Sequence, residues 1–265
     1  MLYYLLLFGF AILPVVLLMI YIYRMDKYQK EPIKSLAKAF VGGMIAIPLD
    51  FVFVDIIAYF LGGTSFSGTH FFSAFFKAGI PEELSKFLIF MIFIWRDKNF
   101  DEYFDGIIYA TFIGLGFACV ENIGYVYQFG MGTAVVRALL SVPGHFLFGV
   151  VMGYFFSLAK FQPAKRGTYL LSGLLLAMLI HGLFDWPLMA SKDLNSGIAI
   201  IIYVFFIIGD IYLWKLGLKY IRRQQENSRL QAEQCTPPVN DGLASTDSGD
   251  RPDYKHIDWN AGDTH

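Results

Sequence analysis

Seven apolar stretches dominate the chain, near residues 2–23, 39–61, 71–95, 107–129, 135–158, 169–189 and 198–216. Each is long enough to cross a bilayer, since a spanning helix needs about 20 mostly apolar residues. A transmembrane barrel would instead show shorter segments of alternating polarity. The expected fold is therefore all-α, a polytopic transmembrane bundle of about seven or eight helices. Composition agrees: 56% of the residues are hydrophobic and 16% charged, against about 45–50% and 25% in soluble domains. A net charge of −1 carries no nucleic-acid signature. Cys119 falls in an apolar run and Cys235 in a polar one, so both are expected as reduced thiols.

The connections alternate in charge. Arg24, Lys27, Lys30, Lys34 and Lys38 follow the first run, and Arg96 and Lys98 the third. Lys160, Lys165 and Arg166 follow the fifth, and Lys219, Arg222 and Arg223 the seventh. The other three connections carry only Lys192 among them. By the positive-inside rule this places the N-terminus outside and the C-terminus in the cytoplasm. The first run lacks a basic n-region and a small-residue exit, so it reads as a span and not as a cleavable signal. From Gln224 onward the chain is polar and rich in Ser, Asp, Gly and Pro. The expected division is a membrane domain over residues 1–223 and a disordered cytoplasmic tail over 224–265.

Against this apolar background, Pro81-Glu82-Glu83-Leu84-Ser85-Lys86 stands out inside the third run. A charge at a bilayer centre costs at least about 2.5–3.5 kcal/mol on insertion scales, so intramembrane charge marks function by default. Glu121, His145 and His181 lie in three other runs, with Asp185 one turn beyond His181. Counting inward at about 1.5 Å per residue puts Glu82, Glu121, His145 and His181 at one depth. Carboxylates and imidazoles sharing a level suit a metal or acid–base site. Pro81 suits a first helical turn, so a break just before the Glu pair is expected.

Each residue also has a plainer reading. Lys86 can pair with the two glutamates across one turn, although one lysine cannot neutralise both. Glu121 can bond a neighbouring helix, and His145 stands beside a Gly149/Gly153 face that allows close helix approach. Asp185 can orient His181. Asp50 with Lys86, Asp55 with Lys77, Arg137 and Asp210 are read as structural. Midplane carboxylates and histidines also occur in transporters, so a seven-helix transporter or receptor is the alternative from another class.

Taken in order, Glu82-Glu83-x-x-Lys86, Phe117-x-x-x-Glu121, His145 and His181-x-x-x-Asp185 resemble the PrsW family of intramembrane metalloproteases. The likeness runs from about Arg24 to Leu216 and includes Glu31-Pro32. Related CAAX prenyl proteases and bacteriocin-processing peptidases show E-E-x-x-x-R and F-x-x-x-H, from which this chain departs. The resemblance implies hydrolysis of a membrane-anchored protein, such as an anti-sigma factor, near its extracytoplasmic end, in a bacterial cytoplasmic membrane. It further implies Glu82 or Glu83 as general base, Glu121, His145 and His181 as ligands of a zinc ion, and Lys86 and Asp185 as orienting groups. A CAAX-like or bacteriocin-processing peptidase is the alternative within the same chemistry.

Overall fold

A computed structural model describes residues 2–61 and 69–235. Among them every regular element is helical: α1 (Leu2–Met25), α2 (Ile33–Phe60), α3 (His70–Ala74), α4 (Ile80–Phe93), α5 (Tyr103–Phe129), α6 (Met131–Leu139), α7 (Ser141–Phe161), α8 (Arg166–Ala190) and α9 (Ser196–Cys235). Six segments are long and apolar enough to cross a membrane: 6–25, 33–60, 103–129, 131–161, 163–190 and 196–234. The third apolar run differs from these because it carries Lys77, Glu82, Glu83 and Lys86.

α5 is the axis of the bundle. Nearly all of its central window is buried, which explains why it is apolar all round. α7 lies along it, α2 and α1 pack on its other sides, and α8 closes against α7. α5 and α7 approach closely because Gly153 meets the Gly106 carbonyl where any Cβ would collide. The outer faces are the inverse of a soluble surface: Phe51, Tyr59, Ile92 and Phe205 are exposed. Such a surface is stable only against lipid.

The expected break before Glu82 takes a different form. Residues Phe75–Gly79 make a π-helical turn between α3 and α4, so the helix widens without ending. Pro81 has no N–H and would crowd the carbonyl four residues back in a regular helix, and the wider turn relieves both defects. The fifth apolar run does break, at Leu140, into the short α6 and the long α7.

The last helix continues past residue 224. α9 runs on to Cys235, so the expected boundary at Arg223 falls inside a helix. Gln224, Ser228 and Gln231 recur at helical spacing and are buried. Gln224 Nε2 donates to the Tyr154 carbonyl at 2.9 Å, Ser228 Oγ accepts from Phe104 N at 2.9 Å, and Gln231 Nε2 donates to the Asp101 carbonyl at 2.8 Å. A stripe that docks by satisfying backbone groups leaves no apolar period to read in the sequence. Residues 236–265 of the expected tail lie outside the described residues.

Contacts at the helix ends sort the connections into two sets. Lys160 Nζ donates to the Trp95 carbonyl at 2.9 Å, Lys38 pairs with Asp97 at 2.7 Å, and Gln225 Nε2 donates to the Met25 carbonyl at 2.5 Å. At the other end His70 Nε2 meets Asp193 Oδ2 at 2.7 Å.

Candidate active site

The first two turns of α4 place Glu82, Glu83 and Lys86 on the inner side of the bundle, where they are 7%, 0% and 4% exposed. α8 is held against the π-helical turn by two glycines. A Cβ on Gly79 would lie 2.9 Å from Gly182 N, and one on Gly182 would run into the Phe75 ring. That approach brings His181 to Glu83, with Nδ1 donating to Oε1 at 2.8 Å. The imidazole lies flat on Phe148, with centroids 4.5 Å apart at 24°, which fixes its plane. His145, five residues into α7, faces His181 edge to face at 5.3 Å.

A continuous string of hydrogen bonds and ion pairs joins these groups. Asp185 Oδ2 lies 3.4 Å from His181 Nε2, His181 reaches Glu83, and Lys86 Nζ donates to Glu83 Oε1 at 2.7 Å. Lys86 also donates to Glu82 Oε2 at 3.2 Å and to His145 Nδ1 at 3.1 Å. With that nitrogen accepting, His145 Nε2 carries the proton and donates to Glu121 Oε2 at 2.9 Å. Arg137, from α6, closes the string: it pairs with Glu121 at 2.8 Å and donates from Nε to Asn122 Oδ1 at 3.0 Å. Asn122 Nδ2 then donates to the Ala11 carbonyl in α1 at 2.8 Å. Six helices are tied through one buried polar path. In a low-dielectric interior each link protects its neighbours from an uncompensated charge.

The two adjacent glutamates are not equivalent. The Glu83 side chain is 1% exposed and holds both His181 and Lys86, whereas that of Glu82 is 10% exposed. Glu82 Oε2 looks at both imidazoles from just beyond hydrogen-bond range, 3.9 Å from His181 Nε2 and 4.0 Å from His145 Nδ1.

Glu82, Glu83, His145 and His181 each offer a ligand atom within 4.8 Å of the others. Two nitrogens and two carboxylate oxygens suit a zinc-type ion. Glu83 Oε2 is buried without a hydrogen-bond partner, as expected of an oxygen waiting for a cation. The set therefore fits a metal, with one competitor: the Lys86 ammonium touches three of the four residues. Glu121 lies outside this group, at the opposite ring nitrogen of His145.

Residues 31–209 match the profile of the PrsW family intramembrane metalloproteases, a span that includes every side chain of the string. The chain belongs to the PrsW family. It is 34% identical to the Protease PrsW of Geobacillus kaustophilus over 230 residues, covering 86% of this chain and 95% of that one. It is 33% identical to the Protease PrsW of Bacillus subtilis, covering 83% and 96%, and 33% identical to that of Clostridioides difficile, covering 84% and 93%. No solved structure matches the chain.

In this PrsW protein all seven residues singled out in the sequence meet at one place: Glu82, Glu83, Lys86, Glu121, His145, His181 and Asp185. The pairs anticipated between Asp50 and Lys86 and between Asp55 and Lys77 do not form: Asp50 Oδ1 is buried without a partner, and Asp55 and Lys77 are both exposed. Arg137, expected as structural, pairs with Glu121 and so joins this group.

Proposed function

We propose that this PrsW protein hydrolyses a peptide bond in a membrane-anchored protein, with Glu82 as the general base. The observation that carries the proposal is the buried meeting of Glu82, Glu83, His145 and His181 from three helices. Glu82 is the carboxylate with room for a water: it is the less enclosed of the pair, and its Oε2 faces both imidazoles without bonding either. It takes a proton from the attacking water and returns it to the leaving amide nitrogen, the double role expected of a general acid–base. Glu83, His145 and His181 are assigned as the groups that hold a metal, with zinc suited to this donor set. When bound, such an ion supplies Lewis acidity and lowers the pKa of its water toward about 7. Glu121 is reassigned from ligand to orienting group, since its bond to Nε2 leaves Nδ1 of His145 as the nitrogen directed at Glu82. Asp185 lies 3.4 Å from His181 Nε2, the nitrogen that also faces Glu82, and is assigned to set the plane of that ring while Glu83 takes the Nδ1 side. Lys86 holds the two carboxylates together when no metal is present.

The same reading assigns seven crossings, with residues 70–93 as the third, an external N-terminus and a cytoplasmic C-terminal end. Supporting it, His70 sits beside Asp193, while Trp95 at the far end of α4 meets Lys160. Glu82, His145, Glu121 and His181 all lie nearer the His70–Asp193 end of their helices. Cleavage is thus assigned to the extracytoplasmic half of a bacterial cytoplasmic membrane, and the substrate class to single-span proteins such as anti-sigma factors. The test is cleavage of purified single-span proteins in nanodiscs by wild type and Glu82→Gln. We expect a loss of about 10²–10⁴-fold at unchanged protein level. Undiminished cleavage by Glu82→Gln overturns the assignment of the base.

A further inference from the structure

A second group of buried carboxylates lies at the opposite end of the bundle, away from any histidine. The linker between α1 and α2 supplies Asp26 and Glu31, and the approach to α5 and its first turn supply Asp101, Glu102 and Asp105. Asp26, Glu31, Glu102 and Asp105 are 0%, 2%, 4% and 0% exposed. One oxygen each from Glu31, Asp101 and Asp105 lies within 4.8 Å of the other two.

The donors present leave four of these carboxylate oxygens without a partner. Tyr109 OH donates to Glu31 Oε2, and Glu31 N donates to Asp26 Oδ2 at 3.0 Å. Asp101 N and Glu102 N donate to Asp105 Oδ2 at 2.9 and 2.6 Å, and Gln29 Nε2 donates to Asp101 Oδ1 at 2.9 Å. Left over are Asp26 Oδ1, Glu31 Oε1, Glu102 Oε1 and Asp105 Oδ1, each buried without a hydrogen-bond partner. A fifth orphan comes from a neutral residue on another helix. Gln231 of α9, 1% exposed, turns its amide nitrogen to the Asp101 carbonyl and leaves Oε1 buried and unpartnered.

All five are acceptors, and buried acceptors are expected to be satisfied. The neighbouring cations are engaged elsewhere. Lys30 Nζ donates to the carbonyls of Tyr23 and Asp26, and Lys160 Nζ donates to the Trp95 carbonyl and lies over the Phe100 ring. Among the described residues no lysine or arginine pairs with Asp26, Glu31, Glu102 or Asp105.

We propose that this group binds one hard divalent cation of the Mg²⁺, Mn²⁺ or Ca²⁺ class through Glu31, Asp101 and Asp105, with Glu102 and Gln231 Oε1 beside it. An all-oxygen set rich in carboxylates selects such ions over zinc, which favours nitrogen and sulfur. The ion joins the end of α1, the start of α2, the start of α5 and the extension of α9. Its role is to fasten that end of the bundle, and it rests on no part of the catalytic assignment.

The test uses the full chain in nanodiscs, stripped with chelator and titrated with Mn²⁺, bound ion being read from loss of the free Mn²⁺ EPR signal. Wild type is expected to bind one Mn²⁺ that Mg²⁺ or Ca²⁺ displaces. His181→Ala should keep that ion, which separates it from any metal at the active site. Glu31→Gln, and Asp101→Asn at the less enclosed position, should each weaken binding by roughly ten-fold or more, because affinity follows ligand charge. Absence of Mn²⁺ binding by wild type at millimolar concentration overturns the proposal. So does binding lost in His181→Ala but retained in Asp101→Asn. A third overturning result is thermal stability raised equally in Glu31→Gln and Asp101→Asn with and without Mn²⁺, which would identify a proton-sharing carboxyl group.

Discussion

Lys86 is the residue on which the two charge states of the active site turn. Its ammonium bonds Glu82, Glu83 and His145 at once, and Nζ lies over the Phe117 ring, 4.1 Å from the centroid. A metal held by these residues would neutralise the same carboxylates as this ammonium, so the two would compete. Lys86→Met should therefore do two opposite things. Without metal it takes the ammonium from Glu82 and leaves Glu83 with His181 alone, and losing one partner of a buried pair costs about 3–5 kcal/mol. With zinc added, binding should be tighter than in wild type and should recover much of that loss. Thermal unfolding and zinc content, measured with chelator and with excess zinc, decide it. An equal drop in Tm under both conditions would show that the lysine and the metal do not share a site.

The elements that set the active site do so by close backbone approach. α8 reaches the π-helical turn only because Gly79 and Gly182 lack side chains, and that contact sets the Glu83–His181 bond. Gly182→Leu should separate α8 from Glu83 and strongly reduce cleavage while helix content by circular dichroism is kept. Gly209→Leu, where nothing lies within 4 Å of an added Cβ, serves as the matched control. Equal activity of the two variants would show that α8 needs no such approach. α9 makes a different kind of element-scale prediction. A chain stopped after Arg223 loses Gln224, Ser228 and Gln231 together, so it should unfold at lower temperature than a chain stopped after Cys235. Equal melting temperatures would mean that the polar stripe adds nothing to the docking of α9.

For the whole molecule, the connections meet in two sets at opposite ends, and the lysines and arginines crowd one of them. A reporter active only in the cytoplasm should work when fused after Cys235 and stay silent within residues 62–68; the reverse would sink the orientation and the extracytoplasmic position of the active site. Much of this was legible in one dimension. Span length and intramembrane charge are properties of local sequence, so the helical membrane class, the Glu82-Glu83 pair and the two histidines stood out without coordinates. Spacing within a helix also tied Lys86 to the glutamates and Asp185 to His181. Rotation and tilt between helices leave no such trace, because they are set by packing at distant glycines such as Gly79 and Gly153. Only the tertiary structure could therefore separate the surroundings of Glu82 and Glu83, put Glu121 at the far nitrogen of His145 beside Arg137, and gather Glu31, Asp101 and Asp105 from segments some seventy residues apart. It also showed α9 continuing as a buried polar stripe, since side chains that dock by bonding carbonyls carry no hydrophobic period. Length and polarity along the chain determined which environment each segment enters; the angle at which segments meet decided what their charged groups face.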